Sequence, residues 1–183
     1  MEEMGDKMVE RYIRFRPEHE DEFRTVKIVT PTLGYSRGIT LHIGLRRVEM
    51  THPGPAHADG DTLVFLPDDG VLFAGDLLFT VTFFAVLPET DTRNWVEALK
   101  ELDNMSVNRV VPGHGPMSTA HARKRLRDYL QHVQGEGRRF LNKGMSKEET
   151  SKAVSAGSGE GWDKLECHAM GVGHVYEELF RSA

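Results

Sequence analysis

Three short apolar runs in this chain meet loops framed by glycine or proline, and each loop carries one histidine or one aspartate. His57 stands in Pro53-Gly54-Pro55-Ala56-His57 ahead of the run 63–66, Asp76 follows Gly75 after the run 71–74, and His114 follows the run 109–111 inside Pro112-Gly113-His114-Gly115-Pro116. Runs of this length and composition are strands, and Asp69-Gly70 between the first two suits a tight hairpin turn. The three side chains would then emerge from strand ends at one edge of a sheet. Imidazole and carboxylate are the donors that zinc, iron and manganese sites use, and loops at strand ends hold such donors on a rigid scaffold while leaving them open to substrate. Asp59 and Asp61 lie close enough to His57 to orient it or to stiffen its loop, and His52, at the end of the preceding strand, is a further candidate for the outer shell.

The remaining elements follow from periodicity. Residues 1–24 are dense in charge and read as a frayed start with a short helix, ahead of the main part of the chain over 25–183 and its helical tail over 146–183. Residues 25–29 have strand composition before Pro31. Ile39, Leu41, Ile43, Val48 and Met50 alternate with polar residues around Gly44, which predicts a half-buried hairpin. Asp91 or Thr92 caps a helix carrying Trp95, Ala98, Leu99 and Leu102. Ser118 or Thr119 caps another with Ala122, Leu126, Tyr129, Leu130 and Val133 on its apolar face and Arg123, Lys124, Arg125 and Arg127 on a solvated one. Ser146 and Glu149 form a capping box, residues 156–161 read as a hinge, and Val175, Leu179 and Phe180 dock a last helix.

Composition narrows the function classes. With 23 Lys+Arg against 28 Asp+Glu the chain is acidic and has no footprint for nucleic acid. One cysteine, Cys167, excludes an internal disulfide and a thiolate-rich metal site and fits a reducing compartment. Neither a signal-peptide pattern nor an apolar run of about 18 residues is present, so a cytoplasmic chain with no membrane contact is expected.

The segments G-P-A-H-A-D-G-D-T-L-V-F-L-P, V-L-F-A-G-D-L-L-F and V-V-P-G-H-G-P resemble the later metal motifs of the metallo-β-lactamase superfamily. The resemblance implies an αββα sandwich, here its C-terminal half with an N-terminal remnant. It implies that His57 and His114 each bind one metal and that Asp76 bridges them, the three forming the catalytic centre. It also implies a hydrolase in which a metal-activated water attacks an ester, lactone, amide or phosphoester in a small-molecule substrate. The family's H-x-H-x-D-H motif does not occur in this sequence. The metal is then zinc, as a single ion, or iron or manganese, and the competing reading is a non-catalytic half-domain that acts in assembly or binding. The sheet face that the family covers with its other half would be left bare, with Leu63, Phe65, Val71, Phe73, Leu78 and Phe83 as its residues, and a homodimer through that face is expected.

Overall fold

The computed structural model describes residues 2–182, leaving aside the side chains of residues 2–4 and 120. It divides into two compact units, Met1–Tyr35 and Ser36–Ala183. In the first, helices α1 (Glu2–Phe15) and α2 (Glu20–Phe23) are tied by Arg24, which reaches both Glu10 and Glu20 at 3.0 and 2.7 Å. The strand expected over 25–29 is not formed. Val26, Ile28 and Val29 are exposed, and an apolar strand without a pairing partner has nothing to hold it extended in a ladder.

The second unit is a five-stranded sheet backed by helices. Strands β1 (Gly38–Ile43), β2 (Arg46–Thr51), β3 (Leu63–Leu66) and β4 (Val71–Phe79) pair antiparallel in sequence order, and β5 (Arg109–His114) adds in parallel beside β4. Both expected hairpins form, and the first turns at Gly44, whose φ of +61° is accessible to glycine at little cost. Helices α3 (Thr92–Glu101), α4 (Ala120–Leu141) and α6 (Leu165–Arg181) cover one face, and α5 (Lys147–Ala153) joins the last two. Asp91 caps α3 by accepting from the backbone N–H groups of Arg93 and Asn94, and the Ser146–Glu149 capping box starts α5. The core gathers Leu63, Leu72, Ala74 and Val110 from the sheet with Trp95, Leu99, Leu126, Tyr129 and Val172 from the helices.

Several expectations are corrected. Arg123 is not solvated: it is 3% exposed and donates to the Leu102 carbonyl. Arg125 donates to the carbonyls of Ser158 and Glu160 and lies over Trp162, and Arg127 pairs with Asp103. This basic face is therefore the fastening between α4 and its neighbouring loops, made possible because long stems let the guanidinium groups reach backbone acceptors. Residues 156–161 are not a hinge, since Gly159 is buried where a Cβ would collide with Phe83, Trp162 and Tyr129. Phe180 is exposed, whereas Val175 and Leu179 dock α6 as expected.

The sheet face turned away from the helices is also made of other residues than those first assigned. Leu63, Leu78 and Phe83 are buried in the core and Phe65 packs against it. Strand side chains alternate between faces, so the side turned away from the helices carries the opposite parity. It holds a cross-sheet row of Ile39, Met50, Val64, Phe73 and Val111, each paired with the next in register. A second row holds Leu41 opposite Val48 and Leu66 opposite Val71. None of these nine belongs to the core of the unit or packs against it. Of the six residues proposed, Val71 and Phe73 remain.

Candidate metal-binding site

The local fold brings the three candidate donors together around one carboxylate. Asp76 lies inside β4 and not on a loop after it, because β4 runs on to Phe79 through an irregularity at Gly75, where φ is +52° and the register against β5 shifts. His114 ends β5 beside Phe79. The Asp76 carboxylate then stands between two imidazoles, with Oδ2 3.9 Å from His57 Nδ1 and Oδ1 3.5 Å from His114 Nε2. Both separations are longer than a good hydrogen bond. His57 is buried, Asp76 half-buried and His114 exposed.

The setting of His57 fixes which nitrogen faces the carboxylate. Its Nε2 lies 3.0 Å from the Ala85 carbonyl, which can only accept, so Nε2 carries a hydrogen, and in the neutral ring Nδ1 presents its lone pair toward Asp76. Two electron-rich atoms facing each other at that distance are what a cation between them would satisfy, and a backbone carbonyl on the far nitrogen is the usual partner of a metal-ligating histidine. Thr90 Oγ1 donates to the His57 carbonyl at 2.8 Å and anchors the same loop. Asp61 accepts from the Ala58 N–H at 3.0 Å, and burial pushes its carboxyl pKa up despite that bond. His52 Nδ1 lies 2.7 Å from the Asp61 carbonyl, so both residues brace the loop, while Asp59 is exposed.

Residues that sequence reasoning did not single out complete the support. Phe79 stacks on His114 at 5.0 Å between ring centroids and meets His57 at 5.6 Å, so one ring positions both imidazoles. Trp95 packs edge-on to His57 at 5.4 Å and is itself held by its Nε1–H on the Leu77 carbonyl. Thr80 donates from its backbone to the His114 carbonyl and from its hydroxyl to Pro116. Gly113 admits no side chain, since a Cβ there would lie 2.0 Å from Asp76 Oδ1. In the sequence Phe79 and Thr80 belong to an apolar stretch that reads as core, and only the glycines flanking His114 hinted at close packing.

Two ligand atoms bound to one ion at about 2.1 Å and at tetrahedral angles lie about 3.4 Å apart, so each imidazole with its facing oxygen fits two corners of a metal shell. A catalytic zinc takes three protein ligands. Among the described residues no group of three or more His, Cys, Asp and Glu side chains is arranged to hold a metal ion. The donors divide between the two sides of Asp76, two to a side, and do not fit a complete centre.

The unit is a mixed α/β fold in which one aspartate and two histidines come together beside the sheet. The chain matches the metallo-beta-lactamase superfamily over residues 9–114, more than half its length, and belongs to that family. Acyl-coenzyme A thioesterase MBLAC2 of Bos taurus is 33% identical over 97 residues, 51% of this chain and 34% of that protein. The 2,4-dinitroanisole O-demethylase subunit alpha of a Nocardioides strain is 29% identical over 66 residues, 36% of this chain and 20% of that one. A metallo-beta-lactamase family protein of Thermus thermophilus shares the fold with a TM-score of 0.66 at 19% identity, over 89% of this chain and 53% of that one. The chain thus spans about a third or less of the curated relatives it matches. No helix among the described residues is long and apolar enough to cross a membrane.

Proposed function

We propose that this chain contributes one side of the metal shell of a metal-dependent hydrolase, and that an acyl thioester is its substrate class. The observation that carries the reading is the Asp76 carboxylate set between the His57 and His114 imidazoles, one oxygen to each. A bound divalent ion, zinc by the donor set, would supply a water acidic enough to attack at neutral pH. The chain's own residues do the positioning: Ala85 and Thr90 fix His57, Phe79 fixes both rings, and Gly113 lets β5 approach Asp76. The thioester choice rests on the likeness to acyl-coenzyme A thioesterases over about half of this chain.

The donors that the described residues do not supply would come from a layer placed over the sheet face turned away from the helices. A second copy is the occupant we propose. The two central rows of the face hold no charge from β1 to β4, and Arg109 on β5 is the one charged residue in register with them, so the middle of the face can meet a second copy without like-charge repulsion. Sheets also pack face to face about 10 Å apart, and two-fold pairing is the commonest closed arrangement. The second reading, a binding or assembly module without catalysis, is favoured by the two-donor limit on each side of Asp76.

Zinc analysis, light scattering and turnover of a short acyl thioester test these claims together. Expected are fewer than two zinc per chain, their loss in Asp76→Asn, a dimer, and weak turnover abolished by a chelator. Zinc binding without turnover favours the assembly module. A chain that takes up no zinc under any loading removes the metal reading, and a monomer at high concentration removes the pairing.

A further inference from the structure

On the helical side of the molecule a groove of about 650 Å3 runs between α4 and α6 at the start of α3. Its volume is that of a small-molecule site. Its lining includes Arg93, Arg138 and Arg139 against one carboxylate, Glu178, for a net charge of +2 in a chain whose overall charge is -5. That carboxylate is already engaged, accepting from the Thr92 backbone N–H at 2.9 Å and from the Thr92 hydroxyl, with His174 Nε2 at 3.4 Å. Arg139 is engaged with Glu136 and lies 4.2 Å over Phe140, and Arg93 donates to the Ser182 hydroxyl at 3.3 Å. Arg138 is exposed, and its guanidinium has no ion pair or hydrogen bond among the described residues.

The floor of the groove is apolar, from Val175 and Leu179, and bare at Gly135. Glycine in the interior of a helix costs up to about 1 kcal/mol against alanine. Gly137 has a packing reason, since its Cβ would touch Leu179 at 3.3 Å, but a Cβ at Gly135 would meet nothing within 4 Å. At this groove-lining position on α4, where a Cβ would meet open space, the sequence leaves no side chain.

We propose that this groove binds a small organic phosphate, its anionic group on Arg138 and Arg93 and its carbon body along Val175, Leu179 and Gly135. Guanidinium forks match both carboxylate and phosphate. Here two of them stand with the amides of Asn142 and of Gln134, whose Nε2 also donates to the Thr92 hydroxyl at 3.2 Å, and a phosphate dianion offers three oxygens and matches the net charge of the lining. A second hollow of about 430 Å3 shares Arg93 and Glu178 and continues toward Pro55, on the loop that carries His57. A ligand long enough to fill both would run from Arg138 to that loop. The claim concerns binding and stands apart from hydrolysis.

Calorimetric titration of the full chain with n-hexyl phosphate tests it, with hexanoate as the carboxylate control and inorganic phosphate as the bare anion. Hexyl phosphate is expected to bind more tightly than either control. Arg138→Gln should weaken it about tenfold or more, the loss of a charge-assisted contact. Gly135→Leu should abolish it while raising the melting temperature, because leucine favours the helix that glycine disfavours. That variant separates a blocked groove from a misfolded chain. Failure of hexyl phosphate to bind, hexanoate binding equally well, or binding that survives either substitution overturns the assignment.

Discussion

Gly113→Ala tests the claim that β5 is pressed against the Asp76 carboxylate. The added methyl would sit 2.0 Å from Asp76 Oδ1 and 2.7 and 2.8 Å from the carbonyl carbon and oxygen of Gly75. Ordinary contacts of this kind are about 3.5 Å, so the overlap is roughly 1.5 Å on the carboxylate and somewhat under 1 Å on the Gly75 backbone. The carboxylate can swing away, but then it leaves the 3.5 and 3.9 Å approaches to His114 and His57. The backbone can yield only by opening the β4–β5 ladder at the Gly75–Pro112 pair. Overpacking of this kind costs about 1–3 kcal/mol, which for a chain of this length lowers the melting temperature by about 2–12 °C.

Thermal unfolding followed by circular dichroism reads the cost, and the ring signals of His57 and His114 in two-dimensional NMR read the displaced carboxylate. Gly135→Ala is the control, because its Cβ meets open space in a helix and should stabilise by up to about 1 kcal/mol. A Gly113→Ala chain that melts with the wild type and keeps its histidine signals would refute the reasoning, since it would mean that β5 does not approach Asp76 so closely.

Stability should also depend on pH through His174 and Glu178. The hydrogen bond that His174 donates to the Glu178 carboxylate raises the His174 pKa, so that contribution is full below the unfolded value of about 6.5 and fades as pH rises through the folded one. Burial alone would raise Glu178, but bonds from His174 and Thr92 outweigh it and hold the carboxyl low, so its contribution is present above about 4.3 and fades in acid. The melting temperature lost in Glu178→Gln should therefore be greatest between about pH 4.5 and 6.5 and shrink above that window, with Glu177 adding a smaller pull on His174; a loss independent of pH contradicts the pairing. Ser146→Ala removes the α5 cap and should cost about 0.5–2 kcal/mol, read as a lower urea midpoint with an unchanged slope.

Where a local rule met no competitor, the sequence was a good guide. Both hairpins, the Ser146 capping box and the apolar stripe of α4 follow from periodicity and capping alone, and the α3 cap narrows to Asp91 or Thr92. The three candidate donors were legible because glycine and proline frame them. What failed needed knowledge of the other side of a contact. Arg123 looks solvated in a basic run, and only the position of the Leu102 carbonyl makes it a buried donor. Phe79 reads as core, which it is, and its second task of positioning two imidazoles depends on β5 arriving in parallel beside it. The division of donors between the two oxygens of Asp76 was equally invisible, since spacing along a chain says nothing of which oxygen each ring faces.

The polarity of the β1–β2 hairpin carries the argument one step further. In a sheet covered on one side by helices, each strand should turn its apolar residues toward that cover. β4 does so with Leu72 and Ala74. The hairpin does the reverse: Thr40, Glu49 and Thr51 share the parity of the helix-side residues, as the pairing of Glu49 with Phe65 and Thr51 with Leu63 requires, while Ile39, Leu41, Val48 and Met50 face away. A slip of one residue would turn all of them over, and the register with β3 prevents it. The core of the unit therefore gives no reason for apolar residues on the far face of β1 and β2, and a sheet of this pattern is stable in water only with a second layer over that face.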